Sequence, residues 1–224
     1  MSSEFYRRYL DLLDNIEHDD AEVQEADYTD EIEFDDSESF EEVIQKIIKD
    51  ERNRIGTGGN REVWHHPFDK RLVIKVAKCR PDKKTRTHEE CALRNVWEYL
   101  VWYKTKSENL PEAEHLMPCV DCHPTGEWLT MYKGKRLPRD TAVDIKSDME
   151  WVGDRSKDNF RVLGDKTYSI DYGTEKALEH LDLPQDLESG IKMLAQVLKT
   201  ENKPISDPDY GKSTPHNDPL VDNR

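Results

Sequence analysis

Apolar residues near the start of the chain recur at helical spacing and predict two amphipathic helices. The first covers residues 4–17, and the second begins after Ser39. Ser39 and Glu42 have the three-residue spacing of a capping box, which marks the first turn of a helix. We expect the second helix to pack on the domain that follows it. The apolar positions on which these two helices depend are Phe5, Tyr9, Leu12, Leu13, Ile16, Phe40, Val43, Ile44, Ile47 and Ile48.

From Arg54 the hydrophobic period shortens, and the segment RIGTGGNREVWHHPFDKRLVIKVAK predicts an antiparallel meander. It consists of a short strand, a glycine-rich turn, a strand ending near His66, a second turn and a strand from Leu72 to Ala77. A helix is predicted at 86–104. The segments LMPCV, EWLTMYK, FRVLG and TYSIDYG predict further short strands or loop edges, and a last helix is predicted at 187–199. The pattern therefore predicts an α+β fold.

The net charge of −15 is concentrated in one segment of the chain. Residues 17–38 contain twelve acidic residues and no Lys or Arg, so we predict a disordered linker at 18–38. The alternative is an acidic arm that docks on a basic protein partner or covers the chain's own active site. Such an acidic chain disfavours nucleic acid as its primary partner. The composition of residues 203–224, rich in Pro, Asp and Asn, predicts a disordered tail.

No apolar run approaches the roughly 20 residues that a membrane helix needs. The first twenty residues also lack the apolar core of a signal peptide, so we expect a cytoplasmic protein with no membrane partner. Cysteines in that compartment are ordinarily reduced and free. The segment CVDCH matches a haem-attachment pattern, but that attachment requires an exported chain. A zinc site is an alternative, and its candidate ligands are Cys119 and Cys122 with Cys79, Cys91, His115 or His123.

The predicted meander carries two features that suit a phosphate ligand. Gly56, Gly58 and Gly59 lie in the turn between its first two strands, where backbone amides can approach a phosphate closely. Lys75 lies in the next strand between apolar neighbours, and a lysine in such a position needs an anionic partner or ligand. The turn is not a P-loop, because no Gly-Lys-Ser/Thr follows it and the next element is a strand.

Four segments in order along residues 54–175 give the chain a specific resemblance. IGTGGNREV, VIKVAK, GDRSKDNF and IDYG resemble the glycine-rich loop, strand-three lysine, catalytic loop and metal-binding Asp motif of the protein-kinase-like superfamily. The chain is most similar to the small kinase-like proteins of bacteria, archaea and phages and to the aminoglycoside-phosphotransferase type. The resemblance implies a two-lobe fold with an antiparallel N-lobe sheet, a truncated C-lobe and a domain at 39–202.

The same resemblance assigns roles to individual residues. Lys75 would hold the α- and β-phosphates of ATP, and Asp154 would orient or deprotonate an attacking hydroxyl. Asn159 and Asp171 would bind Mg²⁺ through oxygen atoms, as that ion prefers. The helix after the meander would supply a glutamate to orient Lys75, and we favour Glu98, with Glu90 as the alternative.

The adenine contacts implied by the resemblance come from the strands around the glycine-rich turn. TMYKGKRLP resembles the hinge between the two lobes, so backbone groups near Met131 to Lys133 would pair with the adenine edge. Ile55 and Val63 would enclose the base, with Ala77 on the same wall.

The chain also departs from the family pattern. Arg61 stands where the third glycine of the loop is expected, and only about 50 residues follow IDYG. This leaves no room for the platform that holds peptide substrates in protein kinases. We therefore expect a phosphotransferase that uses ATP and Mg²⁺ on an unknown hydroxyl acceptor. The alternative is a catalytically inactive module, encoded by a phage for example, that binds nucleotide or protein.

Overall fold

The computed structural model describes residues 38–78, 87–138, 151–152 and 156–200. Within these ranges the chain folds into four α-helices and two antiparallel sheets, which is an α+β architecture. The helices are α1 (Phe40–Ile47), α2 (His88–Ser107), α3 (Glu175–His180) and α4 (Leu187–Thr200). The strands are β1 (Arg54–Thr57), β2 (Arg61–His65), β3 (Leu72–Ala77), β4 (Cys119–Cys122), β5 (Trp128–Tyr132), β6 (Lys135–Arg136), β7 (Phe160–Leu163) and β8 (Lys166–Ser169).

Two of the predicted helices, α1 and α2, begin at capping boxes. Ser39 accepts a hydrogen bond from the amide of Glu42, whose carboxylate accepts one from the Ser39 amide in return. Thr87 and Glu90 form the same reciprocal pair at the start of α2. Because these contacts satisfy amides that lack partners within the helix, they fix where both helices begin.

The predicted meander is confirmed as the larger part of a five-stranded sheet. The strand order is β1-β2-β3-β5-β4, and every neighbouring pair is antiparallel. Arg61 pairs with Ala77 across β2 and β3, and Val63 pairs with Lys75. Residues opposite each other point to the same face, so Val63, Lys75 and Ala77 share one face of the sheet.

Each face of this sheet is covered by a helix. Leu72 and Ile74 of β3 pack with Phe40 and Ile44 of α1 on one face. Val73 lies on the other face, in the main core that includes buried residues of α2 and α4. The alternation along β3 explains why nearly the whole strand is buried, and it leaves Lys75 beneath α2.

The three-stranded sheet has the order β6-β7-β8. The β7–β8 hairpin pairs Phe160 with Ser169, and Ser169 also forms a parallel bridge with Leu116 just before β4. The Met117 amide donates to the Ser169 carbonyl at 2.9 Å. These bonds carry the segment after β8 directly beneath α2.

The local predictions differ from the structure in a few places. Helix α2 covers His88–Ser107, so it begins two residues after the predicted start at 86 and continues three residues past the predicted end at 104. The short helix α3 was not predicted. The predicted helix at 4–17 and the tail at 203–224 lie outside the described residues, as does the acidic linker except for Glu38. Among the described helices, none is long and apolar enough to cross a membrane.

Candidate functional site

A buried ion pair joins β3 to α2 at the centre of the candidate site. The ammonium nitrogen of Lys75 lies 3.0 Å and 2.9 Å from the two carboxylate oxygens of Glu98. Lys75 is 4% exposed and Glu98 is fully buried. The expected glutamate is therefore Glu98, since the Glu90 carboxylate is engaged in the cap of α2. Lys75 also donates to the carbonyl of Ile170, just before the IDYG motif's aspartate.

Arg61 is the third member of this cluster. One terminal nitrogen of its guanidinium donates to Glu98 and, at 3.3 Å, to the side-chain oxygen of Asn95. The other terminal nitrogen lies 2.5 Å from Asp171 Oδ1. Asn95 is held in place because its amide nitrogen donates to the backbone carbonyls of Lys75 and Gly126. The guanidinium therefore links β2, α2 and the segment after β8.

The β7–β8 hairpin brings Asn159 close to Asp171. The Ile170 amide donates to the Asn159 carbonyl at 2.9 Å, which continues the hairpin pairing beyond Phe160 and Ser169. Asn159 directly precedes β7 and Asp171 follows shortly after β8, so the two residues flank the same open end of this hairpin although they are twelve positions apart in the sequence. The Asp171 side chain is 48% exposed, so it borders the cluster and also reaches its open side.

The residues after Asp171 fix its position against α2. The side chain of Tyr172 is fully buried, and its hydroxyl donates to the Met117 carbonyl at 2.6 Å. The Tyr172 amide lies 3.4 Å from the Glu98 carboxylate. A Cβ on Gly173 would lie only 2.7 Å from the Glu98 amide nitrogen, so this close approach requires glycine.

Burial and the neighbouring charges shift the pKa values of the cluster in different directions. Burial alone would lower the pKa of Arg61, but Glu98 and Asp171 hold that pKa above its ordinary value. Burial lowers the pKa of Lys75, and the positive charge of Arg61 lowers it further. Burial would raise the pKa of Asp171, yet the charges of Arg61 and Lys75 hold it below its ordinary value. Asp171 is therefore a carboxylate at neutral pH.

The glycine-rich turn leads into this cluster at Arg61 and is held at its base by hydrogen bonds. The Gly58 amide donates to the Arg61 carbonyl at 2.8 Å, which closes the turn between β1 and β2. Lys78, at the end of β3, is buried and donates to the Thr57 hydroxyl and the Gly58 carbonyl. A Cβ placed on Gly56 or Gly59 would meet no atom within 4 Å, so packing within the protein does not explain these two glycines.

The five residues expected to contact adenine do not all lie together. Ile55 and Val63 are partly buried and pack against the main core. Met131 is level with Val73 on β3, whereas Ala77 lies at the far end of that strand, about 13 Å away at the usual rise per residue. Ala77 packs there with Cys91 and Ala92 at the start of α2, so it shares the sheet face but not the end where Met131 lies.

The segment expected to act as the hinge uses some of its backbone groups internally. The Lys133 amide donates to the Arg71 carbonyl at 2.6 Å, and the Tyr132 amide donates to the Pro118 carbonyl at 3.1 Å. Met131 is paired on both sides within the sheet, with Val73 and with Cys119. A base at this end of the sheet would have to use the remaining backbone groups of the segment.

The cysteine candidates have other partners in the structure. The Cys119 sulfur lies 3.1 Å from the Tyr172 hydroxyl, and the Cys122 thiol contacts the His123 carbonyl. Burial raises the pKa of both thiols, which disfavours the thiolates that zinc binds. Over the described ranges, no three His, Cys, Asp or Glu residues are grouped to hold a metal ion. Cys79 and the expected catalytic residue Asp154 lie outside those ranges.

No protein-family model matches this chain, and no curated protein matches it either. Its function is therefore inferred from the order of its motifs and from the geometry of the cluster. Two members of that cluster, Arg61 and Asn95, were not predicted to join it. Arg61 was recognised in the sequence only as a missing glycine, although an arginine at the buried end of a strand is itself a sign of an ion pair.

Proposed function

We propose that the chain binds ATP together with Mg²⁺ beneath the glycine-rich turn and transfers a phosphoryl group to a hydroxyl acceptor. The observation that carries the proposal is the contact of Lys75 with both Glu98 and the segment of Asp171. Lys75 and Asp171 come from two of the four segments that resemble the protein-kinase-like superfamily, and Glu98 comes from the helix that the resemblance expects to orient the lysine. A fold that brings them together from positions 23 and 95 residues apart supports a common function for them.

In this proposal the two sheets belong to the two lobes of a kinase-like fold. The five-stranded sheet with α2 forms the N-lobe, and the β6–β8 sheet with α3 and α4 forms a reduced C-lobe. The α+β architecture and the antiparallel order of the larger sheet support this assignment. The nucleotide would lie between them, with Ile55 and Val63 against the base and the backbone at 131–133 beside its edge.

Lys75 would hold the α- and β-phosphates, since its ammonium is positioned by Glu98 and its strand pairs with the strand that follows the turn containing Gly56 and Gly59. The amides of that turn would approach the phosphates, because these two glycines put no side chain between backbone and ligand. Positioned groups of this kind lower the barrier of phosphoryl transfer mainly by orientation and by neutralising charge.

The residues assigned to the metal fit Mg²⁺ in their chemistry. Asp171 is ionised and half-exposed, and Asn159 lies at the same open end of the β7–β8 hairpin, so both can supply oxygen ligands. When bound, the metal would neutralise charge on the phosphates. Asp154 would accept the proton of the acceptor hydroxyl. The oxygen of that hydroxyl would bond to the γ-phosphorus as the bond from the γ-phosphorus to ADP breaks and ADP leaves.

A second candidate function is a catalytically inactive module that binds nucleotide or a protein partner. The ion pair between Arg61 and Asp171 favours it, because a resident cation already neutralises the expected metal ligand. The acidic segment at 17–38 would be the part that engages a basic protein. In this case nucleotide would bind without measurable turnover.

Thermal unfolding with ATP alone, Mg²⁺ alone and both together tests the proposal. A ligand that binds only the folded state raises the melting temperature. We expect wild type to be stabilised by the pair of ligands and Lys75→Ala to lose the effect. Lys104→Ala is a matched control, because Lys104 pairs with the exposed end of α2 at Glu108 and lies outside the cluster.

Turnover separates the two candidate functions once binding is established. Release of ADP that Asp171→Ala abolishes would support the phosphotransferase, whereas binding without turnover would support the inactive module. No stabilisation of wild type at millimolar ATP, with or without Mg²⁺, would overturn both nucleotide-based functions.

A further inference from the structure

We propose that Arg61 is a built-in counter-ion that competes with a divalent cation for the Asp171 carboxylate, and thereby sets how readily metal enters the site. This rests on the nucleotide site proposed above and concerns how that site is regulated. The starting observation is direct: the guanidinium of Arg61 lies 2.5 Å from Asp171 Oδ1, on the residue assigned to the metal.

Contacts with Glu98, Asn95 and Asp171 hold the guanidinium of Arg61 in place. Its side chain is 9% exposed and reaches from the start of β2 to Glu98 and Asn95 of α2. Asn95 is itself fixed by two backbone carbonyls, which directs its side-chain oxygen at the guanidinium. An arginine with a rigid fork of donors can bridge two carboxylates in this way, whereas a single ammonium cannot satisfy both in the same geometry.

The charges of the cluster are balanced without a metal. Arg61 and Lys75 contribute two positive charges, and Glu98 and Asp171 contribute two negative charges. A divalent cation at Asp171 would stand next to both cations in a partly buried environment, where repulsion is poorly screened. We therefore expect metal alone to bind weakly until the guanidinium releases Asp171.

A triphosphate changes this balance in a definite direction. Its negative charges give the released guanidinium a new partner, since arginine binds phosphate oxygens through paired donors. Nucleotide and metal would then enter together, each lowering the cost of the other. Arg61 would thus make metal binding depend on nucleotide.

A merely structural role for Arg61 makes a different prediction. If the guanidinium only ties β2 to α2, its removal should lower stability and leave the affinity for metal at Asp171 unchanged. If Arg61 competes with the metal, removal of its guanidinium should lower the stability of the protein and raise its affinity for metal at Asp171.

Titration with Mn²⁺ alone, followed by the electron paramagnetic resonance signal of the free ion, tests the competition directly. Mn²⁺ prefers the same oxygen ligands as Mg²⁺. We expect Arg61→Gln to bind Mn²⁺ at least about tenfold more tightly than wild type, because a neighbouring positive charge is gone. Arg61→Lys should fall between them, since its shorter ammonium cannot reach both Glu98 and Asp171.

Two controls isolate the site. Arg54→Gln removes an arginine from the same hairpin, where it pairs with Glu51 and Glu62 away from the cluster, and it should bind Mn²⁺ as wild type does. Arg61→Gln combined with Asp171→Asn should lose the gain, and its residual binding measures the contribution of the acidic segment at 17–38. Thermal unfolding of each variant establishes whether it is folded. If Arg61→Gln does not fold, the affinity of Arg61→Lys for Mn²⁺ tests the competition instead.

Equal affinity for Mn²⁺ in wild type, Arg61→Lys and Arg61→Gln would overturn the competition. A gain that persists after Asp171→Asn would overturn it too, because the metal would then bind elsewhere. Neither result depends on nucleotide. A failure of ATP to stabilise the protein would instead count against the proposed function, so the two failures are distinguishable.

Discussion

Gly173 and Glu98 approach each other backbone to backbone. A Cβ on Gly173 would lie 2.7 Å from the Glu98 amide nitrogen and 2.9 Å from the Arg94 carbonyl. The segment that carries Asp171 therefore rests directly on the helix that carries the partner of Lys75. This contact sets the distance between the two halves of the candidate site, and it has no room for a side chain.

Replacement of Gly173 by Ala should destabilise the protein by about 1–3 kcal/mol, because an added methyl in a closed contact forces the backbone to move. Urea unfolding measures the change. Gly59→Ala is the matched control for stability, since its Cβ would meet no atom within 4 Å and it should cost far less. Equal losses in the two variants would show that Gly173 is not under steric constraint.

Glu98 should matter more for stability than either cation it binds. Glu98→Gln leaves Lys75 and Arg61 buried side by side with only the half-exposed Asp171 to balance them. We expect a loss of about 3–5 kcal/mol in urea unfolding, as for other broken buried pairs. Lys75→Met should cost less, because Glu98 keeps Arg61 as its partner.

Glu90→Gln provides the comparison within the same helix. It weakens the capping box of α2 without touching the cluster, so its cost should stay near 1 kcal/mol or below. A larger loss for Lys75→Met than for Glu98→Gln would contradict the central role assigned to the glutamate.

Local patterns in the sequence were sufficient for the elements that position the site. The capping box at Ser39 and Glu42 fixed the start of α1, and the turn residues between three β-branched runs predicted the meander. Strand periodicity predicted the strand that carries Lys75, and the register then shows that Val63 lies opposite it on the same face. The periodicity did not show that Ala77 lies about 13 Å along β3 from Val73, the residue level with Met131, because only the strand register gives that distance.

Long-range contacts were the part that the sequence could not supply. The link between Arg61 and Asp171 spans 110 residues, and no local period reports it. The choice between Glu90 and Glu98 was open for a related reason. Eight residues of helix separate them by about 12 Å, so only the packing of α2 on the sheet decides which one meets Lys75.

The hydroxyl of Tyr172 should stabilise the fold more than it affects ligand binding. It is fully buried and donates to the Met117 carbonyl at 2.6 Å, near the Cys119 sulfur. Tyr172→Phe leaves that carbonyl with one fewer donor, and we expect a loss of about 1–2 kcal/mol in urea unfolding. A neutral result would mean that the carbonyl finds another donor in the variant.

His66 should make the stability of the protein depend on pH. It is 2% exposed, and its Nδ1 accepts hydrogen bonds from the Asp69 amide at 3.1 Å and the Phe68 amide at 3.3 Å. Burial lowers the pKa of this imidazole from 6.5 to about 3, although Asp69 opposes the shift. The ring is therefore neutral in the folded protein at every pH above that value.

Below pH 6.5 the unfolded chain binds a proton at His66, whereas the folded protein binds one there only near pH 3 and below. The free energy of unfolding therefore carries no penalty from His66 above pH 6.5. Below that pH it falls by up to about 1.4 kcal/mol per pH unit because of this one group. Urea unfolding at pH 7.5, 6.0 and 5.0 measures the slope of the free energy of unfolding against pH.

His66→Asn should flatten this slope, because an Asn oxygen can accept hydrogen bonds from the same two amides without titrating. Phe68→Leu weakens the same aromatic contact and should keep the wild-type slope. An unchanged slope in His66→Asn would show that other groups cause the pH dependence.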